Sequence, residues 1–165
     1  MSFTEWNNRP IELRTLFNPS FCGVVLLSAI ESYQKESTKG MPIPLAFLIL
    51  PLVLHSKTRS SLPRSKKSNL GLWCKENENQ LLFLSERVNS LNKSTIQALS
   101  LLGIGDHIAM NDSLILTKKK MKGVSAYLDT SEEVKEIYNK ASSLGKWFAN
   151  SGESSIVYTY LGVRP

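Results

Sequence analysis

Two stretches in the first third of this sequence are too apolar to sit in water, and they fix what the chain can become. Phe21, Val24, Leu27 and Ile30 recur at helical spacing, and Val25 and Leu26 widen their stripe until little polar face remains. A helix of that kind is buried on most sides. The second stretch, Leu45 to Leu54, is the longest apolar run and is interrupted by Pro51. It is too short to span a bilayer and reads as a core helix that Pro51 kinks or splits. Asn18-Pro19 opens the first helix, because Asn suits the cap and Pro the first helical position. The polar loop from Gln34 to Gly40 closes it.

The 165 residues suffice to bury such helices without disulfides or metal staples. The formal charge of +6 makes contact with nucleic acid or another acidic surface reasonable. Cys22 and Cys74 both have apolar neighbours and read as buried, reduced thiols. Met1 to Trp6 lacks the basic start and apolar run of a secretory leader. The expectation is a cytoplasmic protein with no membrane partner.

After the second apolar segment the chain turns basic. Lys57, Arg59, Arg64, Lys66, Lys67 and Lys75 occur before any acidic residue, and Asn69 to Cys74 starts a short helix inside that stretch. Beyond it, Leu81, Leu84, Val88 and Leu91 form one helical stripe. Asn92 is suited to cap a following helix carrying Ile96, Leu99 and Leu102, which Gly103 and Gly105 end. Two alternating runs, Ile108 to Met110 and Leu114 to Leu116, flank a turn at Asn111-Asp112. Helix, turn, helix, hairpin is the order of a winged helix-turn-helix. A long last helix opens at Thr130, where Thr130 and Glu133 have capping-box spacing, and ends by Gly152. Val134, Ile137, Ala141, Leu144 and Phe148 form its inner face. The expected fold is mainly α: a winged helix-turn-helix with one β-hairpin wing and a long C-terminal helix. The expected organisation is an apolar helical half over residues 1–56, a basic linker over 57–77, and the winged helix with its C-terminal helix and docking tail over 78–165, the three parts making one compact unit.

The residues of an enzyme are missing from this pattern. His55 and His107 are remote from each other in sequence, and with Cys22 and Cys74 they show no metal-ligand spacing. Gly103-Ile104-Gly105 follows a helix and precedes a strand, the reverse of the order that aims a helix N-terminus at phosphate. The expectation is no catalytic residue, cofactor or bound metal.

Binding residues are easier to nominate. In a DNA-reading winged helix the second helix would present Lys93, Ser94, Thr95 and Gln97. No arginine lies between Val88 and Gly162, so the usual bidentate guanine reader is missing. Sequence-specific recognition is therefore disfavoured. Arg59, Arg64, Lys66 and Lys67, with Lys118, Lys119, Lys120 and Lys122, are candidate contacts to a DNA backbone. The tail from Ile156 to Leu161 is too apolar for a free end. It docks on the chain's own core or on another subunit, with Tyr158, Tyr160, Leu161 and Arg164 as the candidate partner interface.

Four stretches also carry a family resemblance. They are Arg9-Pro10-Ile11-Glu12 with Leu16 to Cys22, Gly40-Met41-Pro42-Ile43-Pro44 running on to His55, Thr58-Arg59 with Leu62-Pro63-Arg64-Ser65, and Gly145-Lys146-Trp147-Phe148-Ala149 with Leu161-Gly162-Val163-Arg164-Pro165. Together they resemble the middle component of bacterial three-component ABC systems, the broad group that includes the small LmuC-type subunit of Lamassu anti-phage defence. The resemblance implies partners: an SMC-like ABC ATPase, an effector that is often a nuclease, and DNA met through the complex. It implies an accessory subunit that links DNA sensing at the ATPase heads to the effector, and by analogy with the small subunits of SMC complexes it allows a tandem winged-helix, SMC-accessory-like form. A free-standing winged-helix transcription regulator is the alternative, and a small toxin or enzyme with a cryptic site is a third.

Overall fold

The computed structural model describes residues 18–164. The Met1–Trp6 start, the Arg9–Glu12 motif and Pro165 lie outside them. In chain order the elements are α1 (Pro19–Glu36), β1 (Met41–Pro42), α2 (Ile43–Val53), α3 (Ser56–Ser61), α4 (Leu70–Glu76), α5 (Glu78–Leu81), α6 (Leu84–Ile104), β2 (Ile108–Asn111), β3 (Leu114–Thr117), α7 (Val124–Leu128), α8 (Glu132–Ala149) and α9 (Ser154–Leu161). The protein is a mainly helical domain with a small three-stranded antiparallel sheet. No described helix is long and apolar enough to cross a membrane.

As the sequence demands, α1 is central. The Asn18 side chain accepts from Ser20 N at 2.8 Å, and every residue from Phe21 to Ile30 is buried. Helices α8, α6 and α2 and strand β3 pack around it. The α1–α8 seam is built from small residues. Ser28 Oγ donates to Tyr138 O, Ser32 Oγ lies 2.6 Å from Ser142 Oγ, and Gly145 abuts Ala29. A Cβ at Gly145 would lie 2.1 Å from Ala29 O, so only glycine permits this approach. Helix α2 is one piece: Pro51 falls in its last turn, where it neither splits the helix nor leaves a long stretch beyond it.

Strand β1 joins the hairpin rather than standing alone. Met41 pairs with Ile115 and Pro42 with Leu114, giving the order β1-β3-β2. Gly40 turns the chain into β1 at φ +87, and a Cβ there would meet Ile115 O at 2.7 Å. The hairpin forms where its alternating runs placed it. Its two-residue loop is Asp112-Ser113, with Asp112 at φ 53, one position later than Asn111-Asp112.

Several expectations need correction. Residues 84–104 form a single helix, so the turn expected at Asn92 is absent. Leu84, Leu91, Thr95, Ala98 and Leu102 keep one unbroken helical phase, and Asn92 rides on the outer face. The helix-turn-helix placed inside residues 78–117 is thus not formed there. Helix α8 is capped by Ser131, not Thr130, whose hydroxyl donates to Tyr127 O. The 57–77 stretch is not a solvated linker. It holds α3 and α4, and it buries Thr58, Arg59, Leu62, Leu70, Trp73 and Cys74. Trp73 meets Trp147 edge to face at 5.2 Å, and Trp147 Nε1 donates to Ser68 O at 2.7 Å, which ties the stretch to α8. One hydrophobic core runs from Phe21 to Val163. The tail is a helix, α9, closed by Gly162 at φ 70.

Candidate nucleic-acid and partner interface

The structure divides the candidate backbone contacts into two unequal groups. In the first, Arg59 is 4% exposed. Its Nη1 donates to Val53 O at 2.8 Å, its Nη2 to Glu133 Oε1 at 3.2 Å, and its Nε lies 3.3 Å from Glu136 Oε2. It locks α3 to the end of α2 and the start of α8 and cannot reach a phosphate. Lys66 holds both carboxylate oxygens of Glu36 at 2.8 Å, and that contact keeps the Glu36 carboxyl below its usual range. Arg64 and Lys67 remain exposed. The first group is therefore not one patch.

The second group gathers around a cleft of about 360 Å³, where the chain leaves β3 and meets the end of α1. Glu31, Gln34, Lys35, Thr117, Lys118, Lys119 and Lys120 line it. Gln34 Oε1 accepts from Thr117 N at 2.8 Å and from Thr117 Oγ1 at 3.0 Å, fixing the wing to α1. Lys118 is paired with Asp106, whose carboxyl is pulled below its usual range by that lysine. His107 Nδ1 lies 3.2 Å from Lys119 O and orients the backbone there. Lys35, Lys119 and Lys120 form no ion pair among the described residues. Lys122 is exposed just beyond the cleft. Flexible ammonium groups on such a shelf can hold oxyanions without reading bases. Sequence reasoning found Lys118 to Lys122 but missed Lys35 and Gln34, which only the packing of α1 on β3 brings alongside.

Of the base-reading candidates, Lys93 and Gln97 are exposed, Ser94 is half-buried, and Thr95 is fully buried against the core. The candidate partner interface also divides. Tyr158 and Leu161 are buried, and Tyr158 Oη donates to Pro44 O at 2.6 Å, with burial pushing the phenol up to about 12. Tyr160 is 54% exposed and covers Gly71, where a Cβ would touch its ring at 2.7 Å. Arg164 is exposed. The tail therefore docks on the chain's own α2 and α4.

Sequence reasoning overlooked a polar junction between α3, α5 and α6. His55 Nδ1 accepts from Thr58 N at 3.3 Å, capping α3, and lies 2.7 Å from Thr58 Oγ1. Arg87 Nη2 donates to Thr58 Oγ1 at 3.2 Å and to Gln80 O at 3.0 Å. Burial holds the His55 imidazole below its usual value, with Arg87, Lys57 and Arg59 adding to the shift. Beside the junction Leu82 and Phe83 stand 72% and 58% exposed. The signal was available, because neither residue fits the buried stripe through Leu81, Leu84 and Val88.

Both thiols are buried, which raises Cys22 to about 12 and Cys74 to about 11 and keeps them protonated at neutral pH. Among the described residues no three His, Cys, Asp or Glu side chains converge as a metal set.

The chain is thus a mainly helical domain with a lysine-lined cleft beside its hairpin, in which Gly40 and Gly145 permit close packing and Gly162 closes the last helix. Residues 6–165 match the family model described as ABC-three component (ABC-3C) system Middle Component 3, and the chain belongs to that family. Membership implies partners drawn from the same three-component system. Neither the curated proteins nor the solved structures contain a match to the chain.

Proposed function

We propose that this middle component is a non-catalytic accessory subunit of an anti-phage complex built on an SMC-like ABC ATPase, linking the ATPase, DNA and an effector nuclease. The observation that carries the DNA side of this reading is the cleft formed by Lys35, Lys119 and Lys120 at the wing. Absence of catalysis is supported by how the reactive residue types are used. His55 caps a helix, His107 holds a backbone carbonyl, and both thiols are buried and protonated. Kinship with the LmuC-type subunit of Lamassu defence is part of the same reading, and rests on the sequence resemblance.

The winged-helix reading survives in a different place. Elements α1, β1, α2, α6, β2 and β3, with strand order β1-β3-β2, follow the order of a winged helix with residues 54–83 inserted between its second and third helices. Helix α6 would then hold the recognition position. Its exposed residues include Glu86, Asn89, Lys93, Gln97, Ser100 and Ile104, with a single cation among them. That surface suits protein contact better than base reading. DNA is instead met through its phosphates.

The test is duplex binding by the complex carrying Lys35→Ala, Lys119→Ala and Lys120→Ala in this subunit. Affinity should fall while melting of the subunit stays unchanged. The slope of log K against log salt should flatten by about 0.9 for each phosphate that the variant no longer neutralises. An unchanged affinity and slope would remove the cleft from the DNA path.

A further inference from the structure

Two arginines of this fold are drawn into its interior, and their surroundings differ sharply. Arg59 meets two carboxylates and a backbone carbonyl. Arg87 is half-buried and meets only neutral oxygens, Thr58 Oγ1 and Gln80 O. Its Nε is buried without a hydrogen-bond partner, and none of the ion pairs among the described residues includes it. A guanidinium taken partly out of water without a counter-charge is costly, and a carboxylate presented to its fork would offset that cost with charge-assisted bonds. Arg87, Lys57 and Arg59 all act electrostatically on His55, and of the two arginines only Arg59 has its own carboxylates.

Phe83 precedes Arg87 by one helical turn, so the two share a face of α6. Exposed Leu82 adjoins it. We propose that Arg87, rimmed by Phe83 and Leu82, is the docking point for an apolar, carboxylate-bearing segment of a protein partner. A partly desolvated arginine beside an exposed aromatic is the composition found at the energetic centre of protein interfaces. Nucleic acid fits this place poorly. Exposed Glu78 and Glu86 flank it in sequence, whereas nucleic-acid interfaces are strongly basic. The inference rests on the reading that the protein works with the other components of its system.

The test supplies the missing carboxylate in cis. Phe83 is the residue that starts α6, so Phe83→Asp places an acid at a helix start and four residues before Arg87. The variant should melt at or above the wild-type temperature. Its affinity for the purified ATPase or effector component of the same system, measured by biolayer interferometry, should fall at least about tenfold, which corresponds to roughly 1.4 kcal/mol. Leu82→Ser, at a site 72% exposed, should weaken the same binding without changing the melt, and it decides the matter if Phe83→Asp folds poorly. Undiminished binding by the folded variants overturns the inference. So does a loss confined to duplex DNA with component binding intact. Failure of the wild-type chain to bind either component would instead sink the proposed function, and this inference with it.

Discussion

Arg59 and His55 illustrate how single residues here serve folding where the sequence suggested exposure. The basic run from Lys57 to Lys75 gave no hint that Arg59 would turn inward, because its partners Glu133 and Glu136 lie on a helix far along the chain. A composition reading cannot see such a pairing. His55 has a comparable hidden role, since its neutral Nδ1 accepts the N-terminal hydrogen bond of α3. Its pKa is lowered in the fold, by burial first and then by neighbouring cations. The unfolded chain therefore binds the His55 proton more readily, and stability contributed by this site is intact above about 6.5 and declines as pH falls through the folded value. Thermal melts between pH 7.5 and 5 should record that decline. His55→Asn replaces the capping Nδ1 with an amide oxygen that does not titrate and should flatten the profile in this window. A variant as acid-sensitive as the wild type would show that other groups set the dependence.

Elements with strong periodicity were legible, and boundaries set by tertiary contacts were not. Helices α1 and α2, the hairpin and the core face of α8 follow from residue spacing alone. The supposed break at Asn92 came from reading a favourable cap residue as decisive. The buried phase through Leu91, Thr95 and Ala98 runs straight past it, and tertiary packing outweighs a local cap preference. Strand β1 was invisible because a two-residue strand has no pattern of its own; it exists only by pairing with β3. Glycines that resembled family punctuation have steric reasons. Gly145→Ala should force α1 and α8 apart at Ala29 O and cost about 3 kcal/mol, the upper end of the usual overpacking range. That corresponds to a drop in melting temperature on the order of 10 °C for a chain of this size. Calorimetry on the variant checks it, and a change within a degree would mean the seam relaxes freely.

At the scale of the whole molecule, the candidate site was half readable. The lysines after β3 stood out as a charge run, but the cleft exists because Gln34 anchors Thr117 and brings Lys35 alongside them. The tail residues were nominated as a partner interface, and Tyr158 and Leu161 instead pack on α2 and α4 of their own chain. Exposed apolar residues remain at Ile156 and Tyr160 in the tail and, away from it, at Leu82, Phe83, Ile96, Leu101 and Ile104 among others. A subunit of a three-component system should be found bound to its partners. Co-expression with the other two components, followed by size-exclusion chromatography with light scattering, checks this. The protein should elute in a complex with at least one of them, at a defined ratio. Elution as a separate homodimer that binds promoter DNA by itself would contradict it and favour a free-standing regulator.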